Sequence, residues 1–342
     1  MKSVPTSLSR PAVLLSLLLL LAGCSRTSQP KETVYVTVPQ AYLRDRIAAV
    51  YNRVSLVKNG ERLQVLEHSR RFVRVRTAEG KEGWLEERYT VGQDVFDQLE
   101  KLAADYLHAP VMATGLTDND TNIHTAPGRE TKHLYQIKGA TKVQILKRAT
   151  APKPGPAVVP VRENVATRNP APQPVLEDWW LVRDPQGRVG WVLARMVDID
   201  VPLDVAQYAE GQRIVGAFVL DQVQDGDKKV PQYLMVLTNP HDGMPYDYNQ
   251  IRVFTWNVKR HRYETAYRER NLFGIFPVTV THESFDKEGD LPVFILRVQD
   301  DNGKVVERKY KLNTPIVRRV LSPAEQAEMA SRPVSRPRRH RR

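Results

Sequence analysis

The sequence predicts a mainly β protein. We expect two related units of short strands joined by one amphipathic helix, followed by a C-terminal antiparallel β-sandwich or barrel. Short apolar runs separated by turn signals such as Asn59-Gly60 fill the chain from residue 34 onward, as in antiparallel sheets. A pattern around Phe72 recurs around Trp179, and a third group of alternating segments lies beyond residue 208.

Composition restricts the class of protein. The chain has 342 residues, of which 41% are hydrophobic and 26% charged, as in ordinary soluble domains. A chain disordered throughout is excluded. A polytopic membrane protein is also excluded, because the only long apolar run lies at the N-terminus. The formal net charge is +12, but six arginines fall within residues 331–342. The charge is therefore mostly that of a tail and does not predict nucleic-acid binding.

The N-terminus predicts a signal peptide over residues 1–23. Lys2 and Arg10 precede an apolar run of ten residues, Val13–Ala22. This run is shorter than the ~20 residues of a membrane-spanning helix and fits a secretory signal. It ends in Leu21-Ala22-Gly23-Cys24-Ser25, which resembles the lipobox of bacterial lipoproteins. The alternatives are an ordinary core cysteine beside a cleaved leader, or an uncleaved anchor.

The lipobox resemblance implies that Cys24 carries diacylglycerol and, after cleavage, an acylated amine. Lipid would then hold the protein at a membrane, with residues 24–33 as a tether, because several acyl chains anchor stably where one does not. Ser25 stands where an aspartate would retain the protein at the inner membrane in the Gram-negative sorting pattern. Serine at this position favours sorting of the protein to the periplasmic face of the outer membrane. Cys24 is the only cysteine, so no thiol remains for a disulfide or a cysteine nucleophile.

An internal repeat organises the middle of the chain. Residues 72–76, 80–85 and Arg88 match residues 179–183, 187–192 and Arg195 at a constant offset of 107. Upstream matches have smaller offsets, so the second copy contains an insertion. It is visible at residues 151–175, which hold seven prolines. Because proline lacks the N–H of a sheet ladder, we expect this segment to be a solvated loop.

Both copies resemble bacterial Src homology 3 domains. The shared features are a Lys/Asn-Gly turn, a Val-x-Val-Leu strand, a Trp-x-x-Val strand and a final Gly-x-x-Gly-Trp-Val segment. The resemblance implies two small Src-homology-3-like β-barrels, at residues 34–91 and 113–203. The first copy departs from the family by using Phe72 where tryptophan is preferred, and it lacks the Gly-Pro of the opening loop.

Two tryptophans are expected to have a structural role. Trp84 follows Gly83, and Trp191 follows Gly190, in the most specific part of the family pattern. We expect each Gly-Trp pair to close the core of its barrel. The alternative is that tryptophans and tyrosines line a groove, as in peptide-binding relatives.

Three other aromatic residues are the candidates for ligand binding. Tyr51 is the candidate in the first copy, and Trp179 and Trp180 are those in the second. Neighbouring residues on a strand point to opposite faces. We therefore expect one of the two tryptophans to be buried and the other to be partly exposed, and the exposed one is the strongest candidate.

A helix and an all-β unit complete the organisation. Val95, Leu99, Leu102 and Tyr106 recur at helical spacing within a connecting segment at residues 92–112, so this helix should pack on a barrel. Residues 208–320 contain about seven alternating segments, which indicate an antiparallel sandwich or barrel. We expect the basic tail, residues 321–342, to be disordered and to offer its arginines to anionic envelope polymers.

No catalytic or metal-binding motif stands out. The eight histidines are scattered without ligand spacing, and phosphate-loop, nucleophile-elbow and zinc-peptidase motifs are missing from the sequence. We therefore expect no cofactor, no metal and no enzyme activity. The leading hypothesis is a lipid-anchored envelope protein that binds cell-wall peptide (peptidoglycan) or an envelope protein. A structural subunit that docks through its C-terminal β domain is the alternative, and an enzyme sited in that domain is the third hypothesis.

Overall fold

The computed structural model describes residues 32–155, 174–322 and 325–326. The fold is mainly β, as predicted, with three antiparallel sheets. The predicted leader, Cys24, most of the proline-rich segment and nearly all of the basic tail lie outside the described residues. In the described part, no helix is long and apolar enough to cross a bilayer.

The first sheet belongs to a unit spanning residues 33–92, here called the first unit. Its strand order is β3-β2-β6-β5-β4-β1-β7. Inward-facing residues from six of these strands form a closed apolar core: Val34, Val36, Leu43, Val57, Leu63, Val73, Val75 and Leu85. The strands are β1 (Thr33–Val36), β2 (Gln40–Arg44), β3 (Arg53–Lys58), β4 (Arg62–Ser69), β5 (Phe72–Arg76), β6 (Glu82–Glu86) and β7 (Thr90–Gly92).

The second unit, residues 113–199, repeats this topology. Its strand order, β10-β9-β13-β12-β11-β8-β14, is the order of the first sheet with seven added to each number. The sequence repeat is therefore also a structural repeat. The strands are β8 (Ala113–Thr117), β9 (Thr121–His124), β10 (His133–Ile137), β11 (Lys142–Pro152), β12 (Leu176–Arg183), β13 (Val189–Leu193) and β14 (Val197–Ile199).

The ends of the proline-rich segment differ from the prediction. Ala151 and Pro152 continue β11 and pair with Glu177 and Leu176, and the N–H of Lys153 donates to the Val175 carbonyl at 2.7 Å. The ladder extends because Pro152 is the last strand residue, where its missing N–H interrupts no further pairing. The solvated-loop prediction is therefore wrong for these flanking residues.

The helix α1 (Gln93–Asp105) lies between the two units. It ends one residue before Tyr106, the last residue of the predicted apolar pattern, and Gly92 is its N-cap residue. Val95 and Leu99 are buried, and Phe96 stacks on Tyr35 of the first unit at 4.6 Å between ring centroids. The helix also packs on β13. It therefore braces both units, as its apolar stripe predicts.

The C-terminal unit, residues 213–320, contains one seven-stranded sheet in chain order. The first strand approaches the fourth and fifth, so the sheet curves around its apolar face. The short helix α2 (Leu203–Ala206) precedes it. The strands are β15 (Arg213–Asp225), β16 (Lys228–Thr238), β17 (Tyr248–Asn257), β18 (Arg262–Phe285), β19 (Gly289–Gln299), β20 (Val305–Asn313) and β21 (Ile316–Val320).

The second unit and the C-terminal unit share one core. Trp180 and Val192 belong to the same buried cluster as Val215 and Leu234. Burial of this continuous apolar surface is the main force that holds the two units together. The first unit has a separate core and contacts the rest through α1 and the second unit.

Candidate functional site

A cleft of about 1220 Å³ lies between the first and second units, at the N-terminal end of α1. One wall comes from β2, β5 and β6 of the first unit. The opposite wall comes from residues 129–133, just before and at the start of β10. A cleft between two units is a frequent place for ligand binding.

The wall from the first unit is built around Arg44. Its Nη2 donates to Oε1 of Glu86 at 2.8 Å, and Nη2 of Arg88 lies 2.8 Å from the other oxygen of the same carboxylate. The guanidinium carbon of Arg44 lies 4.3 Å from the ring centroid of Tyr51 and 5.4 Å from that of Phe72. The ion pair and the rings together hold Arg44 in one position at the cleft.

Arg129, in the wall from the second unit, is held by a bidentate ion pair to Glu177 behind it. Nε and Nη2 of Arg129 donate to the two carboxylate oxygens of Glu177 at 2.7 and 2.6 Å. Glu177 is only 4% exposed, and the Arg129 hydrogen bonds hold the pKa of this carboxyl below its usual range. Burial lowers the pKa of His133, which also lines the cleft. This histidine therefore adds no positive charge at neutral pH.

Four charged side chains of the cleft make no ion pair within the described residues. Arg71 and Lys132 are the cations, and Asp94 and Glu130 are the anions. All four are exposed. Chemically, the cleft offers sites for both carboxylates and ammonium groups, beside the Arg44 and Phe72 side chains.

A smaller groove of about 290 Å³ lies on the other side of Arg44. Tyr42, Tyr51 and Tyr89 line it. Arg53 lies over the ring of Tyr42, with its guanidinium carbon 4.4 Å from the ring centroid. The predicted ligand-binding residue Tyr51 is thus placed in an aromatic groove that shares Arg44 with the large cleft.

The prediction for Trp179 and Trp180 is wrong in one respect, because both are buried, with 2% and 3% of their surface exposed. Trp180 joins the core inside the second unit. Trp179 faces outward, but its cluster is covered by Leu102 of α1 and by Tyr106, the residue just after α1. Neither tryptophan lines the large cleft or the smaller groove. Sequence periodicity gave the two faces correctly, but it contained no information about the helix that covers the outer one.

The prediction that Trp84 closes a core is also wrong. Gly83 and Leu85 face the core of the first unit, so Trp84, between them, lies half-buried on the outer face. Trp191 is buried, but in the outer cluster with Trp179 and Leu181 instead of inside the barrel.

Gly83 and Gly190 are structurally required. A Cβ on Gly83 would lie 2.8 Å from Cβ of Leu43. A Cβ on Gly190 would lie 2.2 Å from Cγ2 of Ile123. Both distances are shorter than carbon atoms tolerate, so the close approach of β6 to β2, and of β13 to β9, requires glycine.

The two units differ on this same outer face. Arg44 pairs with Trp84 in the first unit, and His124 pairs with Trp191 in the second. In the first unit Arg44 lies over the Phe72 ring. At the equivalent positions of the second unit, the His124 ring meets the Trp179 ring edge-on, with 5.2 Å between the ring centroids. In the second unit α1 covers this outer face. In the first unit the equivalent position opens to the cleft, which makes it the face available to a ligand.

The sequence did not predict Arg44, Arg71, Phe72 or Glu86 as functional residues. An alignment of the two copies does contain a signal that the outer face of the first copy is open. Arg74 and Glu86 of the first copy stand where the second copy has Leu181 and Leu193. A change from apolar to charged residues at matched outward positions indicates that one face is covered and the other is open. In the described residues, no group of three or more His, Cys, Asp or Glu side chains is placed to hold a metal ion.

Comparison with known proteins identifies part of the chain. Residues 40–91 match the family model of the bacterial SH3 domain, so the first unit contains a bacterial SH3 domain. No curated protein matches the chain.

Solved structures that align with the chain have low identity. NlpC2 from Trichomonas vaginalis is 10% identical, with 86% of this chain and 97% of that chain covered and a TM-score of 0.17. An NlpC/P60 family protein from Bacillus cereus is 10% identical, with 83% and 95% covered and a TM-score of 0.23. A putative autolysin from Listeria monocytogenes is 12% identical, with 82% and 93% covered and a TM-score of 0.16. TM-scores in this range do not indicate a shared overall fold.

Proposed function

We propose that the protein is a non-catalytic, lipid-anchored envelope protein that binds cell-wall peptide in the cleft beside its bacterial SH3 domain. The observation that carries the proposal is the cleft itself, which opens on the outer face of that domain at Arg44 and Phe72. Bacterial SH3 domains commonly bind peptidoglycan. Fold alone does not fix function, so the chemistry of the cleft has to support the same conclusion.

The charges of the cleft suit a short wall peptide. Such peptides carry free carboxylates and, on many residues, free amines. Arg71 and Lys132 offer uncompensated positive charge to the carboxylates, and Asp94 and Glu130 offer negative charge to an amine. Arg44 and Phe72 supply a flat surface between these groups. Because the charged residues are exposed, they contribute more to selectivity and association rate than to affinity.

We propose that the second unit is also Src-homology-3-like and that it serves as a wall of the site. Its strand order repeats that of the first unit. Its own outer face is covered by α1, so it contributes Arg129, Lys132 and His133 to the cleft of its neighbour.

A sacculus-binding assay tests this function. The mature chain carrying Cys24→Ser is incubated with purified sacculi, and the bound fraction is measured after sedimentation. We expect the parent protein to sediment with the wall. The double variant Arg71→Glu with Lys132→Glu should lose at least tenfold in affinity, because it reverses both uncompensated cations of the cleft.

A control of equal charge is available. Lys58 and Lys229 are exposed lysines outside the cleft, so Lys58→Glu with Lys229→Glu should bind as the parent does. Retention of the cleft variant at the parent level would overturn the proposed site. Failure of the parent to bind sacculi would overturn the proposed function.

The membrane part of the proposal concerns Cys24. We propose that lipid on this residue holds the protein at the periplasmic face of the outer membrane, with the arginine-rich tail available to anionic envelope polymers. Radiolabelled palmitate should enter the wild-type chain and not Cys24→Ser. Equal labelling of both, or recovery of the wild type from cytosol with its leader attached, would contradict the anchor.

A structural role in an envelope assembly is the second candidate. The edge strands β15 and β21 each pair on one side only within the described residues, and they expose Val219 and Ile316. Such edges can accept another strand. A photo-crosslinker at Val219 should trap one envelope protein in cells if this function is correct. Absence of any adduct would argue against it.

A further inference from the structure

A separate cavity of about 360 Å³, lined by polar residues alone, lies at the start of the C-terminal unit. It lies where the segment before β15 crosses β17 and β18, and it shares no residue with the cleft between the first two units. Five of its lining residues carry side-chain amides, and the other three are charged: Glu210, Gln212, Asn239, Asn249, Gln250, Arg268, Arg270 and Asn271.

Unsatisfied hydrogen-bonding groups concentrate at this cavity. In the described residues, six buried side-chain nitrogen or oxygen atoms have no hydrogen-bond partner. Three of them, Asn249 Oδ1, Gln250 Nε2 and Arg268 Nε, belong to residues that line it. Gln250 is only 5% exposed. Buried polar groups are almost always paired in folded proteins, so three unpaired groups at one cavity indicate a missing partner.

The orientation of the free acceptor is set by neighbouring amides. Nδ2 of Asn249 donates to Oδ1 of Asn239 at 3.0 Å, and Nδ2 of Asn239 donates to the Tyr246 hydroxyl at 2.9 Å. This chain of hydrogen bonds leaves Oδ1 of Asn249 as the group without a donor. The cavity therefore presents an acceptor as well as donors.

The charged groups at the cavity are largely paired with one another. Glu210 accepts hydrogen bonds from Arg252 and Arg268, both at 2.7 Å. The Arg252 and Arg268 hydrogen bonds, in that order, lower the pKa of Glu210 to about 2, so it is ionised at neutral pH.

Glu210 and Asn271 both have left-handed backbone, with φ of 54° and 57°. Such strained conformations concentrate at functional sites.

We propose that this cavity binds a saccharide through adjacent hydroxyl groups. A hydroxyl both donates and accepts, so adjacent hydroxyl groups match a cavity whose lining residues carry unpaired donors on Gln250 and Arg268 and an unpaired acceptor on Asn249. An ionised carboxylate only accepts and would leave the Asn249 oxygen unpaired. No aromatic side chain lines the cavity, so binding depends on hydrogen bonds and should be weak. This site does not depend on the proposed peptide-binding function.

Saturation-transfer difference NMR on the mature chain carrying Cys24→Ser tests the site. Two probes distinguish the source of the sugar: chitotriose represents N-acetylated wall glycan, and maltotriose represents a saccharide without acetamido groups. Inorganic phosphate is the competitor. We expect transfer to at least one trisaccharide that phosphate does not displace. Transfer to neither, or displacement by phosphate, would overturn the proposal, the latter in favour of an anion site.

Two variants locate the binding. Gln250→Leu removes an unpaired donor and replaces it with an apolar side chain of similar size, so the melting temperature should be unchanged or higher while affinity falls about tenfold. Asn271→Gly keeps the left-handed backbone, removes one amide at the exposed rim and should also weaken binding. This second variant keeps the test valid if Gln250→Leu fails to fold.

A matched control comes from the same sheet. Gln232 is fully buried and also has an unpaired Nε2, but it does not line the cavity. Gln232→Leu should therefore leave saccharide binding unchanged. Equal binding by the parent, Gln250→Leu and Asn271→Gly would overturn the assignment of the cavity.

Discussion

Asp178 of the second unit and Arg213 of the C-terminal unit form an ion pair across their boundary, with 3.1 Å between Oδ2 and Nη1. The other oxygen of Asp178 accepts from Arg148 at 2.7 Å and from the N–H of Gly243 at 3.0 Å. Asp178 is 3% exposed. One carboxylate thus fixes the orientation of two sheets that already share an apolar core.

Removing this carboxylate should be strongly destabilising. Asp178→Ala removes the carboxylate that pairs with the Arg148 guanidinium. The Arg148 side chain is only 8% exposed, so its charge stays buried without this partner. We expect the free energy of unfolding to fall by about 3–5 kcal/mol, measured by urea denaturation. Asp198→Ala is the control, because Asp198 is exposed and makes no ion pair within the described residues. Equal effects of the two variants would contradict the role of Asp178.

The two repeated tryptophans should differ in their contribution to stability. Trp191 is 7% exposed and packs with Trp179 and Leu181, so Trp191→Ala should cost about 3–5 kcal/mol. Trp84 is half-buried on the open face, and Trp84→Ala should cost about 1 kcal/mol. Thermal denaturation of the two variants measures the difference. A larger loss for Trp84→Ala would show that the outer face of the first unit is packed and not open.

A single methyl group at Gly190 should disrupt the second unit. The added Cβ would lie 2.2 Å from Cγ2 of Ile123, which is fully buried, and 2.9 Å from the His124 carbonyl oxygen. We expect Gly190→Ala to lower the free energy of unfolding by roughly 1–3 kcal/mol. Gly139→Ala is the milder comparison and should destabilise less, because the nearest neighbours of its added Cβ, backbone atoms of residues 118 and 119, would lie at 3.3 Å. The steric argument fails if both variants unfold at the same urea concentration.

Stability should fall in mildly acidic solution because of His124. Burial, followed by repulsion from His133, lowers the pKa of His124 from 6.5 to about 4. Between these values the unfolded chain binds a proton that the folded chain does not, so stability is lost as the pH falls from 6.5 to 4. The loss should be about 1–2 kcal/mol, since the ring is partly exposed.

A variant isolates this contribution. His124→Gln should flatten the dependence of the unfolding free energy on pH between 6.5 and 4.5, and His133 should retain a smaller slope of the same sign. His108→Gln, at an exposed site, should leave the dependence unchanged. A parent-like slope in His124→Gln would assign the pH dependence to other groups.

Local patterns predicted the elements well. The alternation of apolar residues and the Asn-Gly and Asp-Gly turns predicted about seven segments in the C-terminal unit, and the 3.6-residue spacing of Val95 and Leu99 predicted α1. The structure also has seven strands there, but the predicted segments at residues 263–267 and 275–280 belong to the single strand β18, and β21 was not predicted. These signals are local, because the direction of a side chain depends on its own strand or helix. The family resemblance at the first unit was correct for the same reason: its Gly-x-x-Gly-Trp segment reports a close strand crossing at Gly83.

The candidate site was not predictable in this way. Arg44, Arg71 and Lys132 are far apart in sequence, and only the placement of one unit against the other brings them to a single cleft. The errors at Trp84 and Trp179 have a related cause. Strand periodicity separates two faces but does not say which face another element covers.

The sequence by itself determined a mainly β chain with an internal repeat, a bracing helix and a third set of strands, because these depend on short-range spacing and turn chemistry. The tertiary structure decided which copy of the repeated face is buried and which is open. That choice depends on the packing of α1 against Trp179 and Trp191. Covering apolar area in the second unit removes it from water and stabilises the fold, while the charged face of the first unit stays hydrated and free to bind.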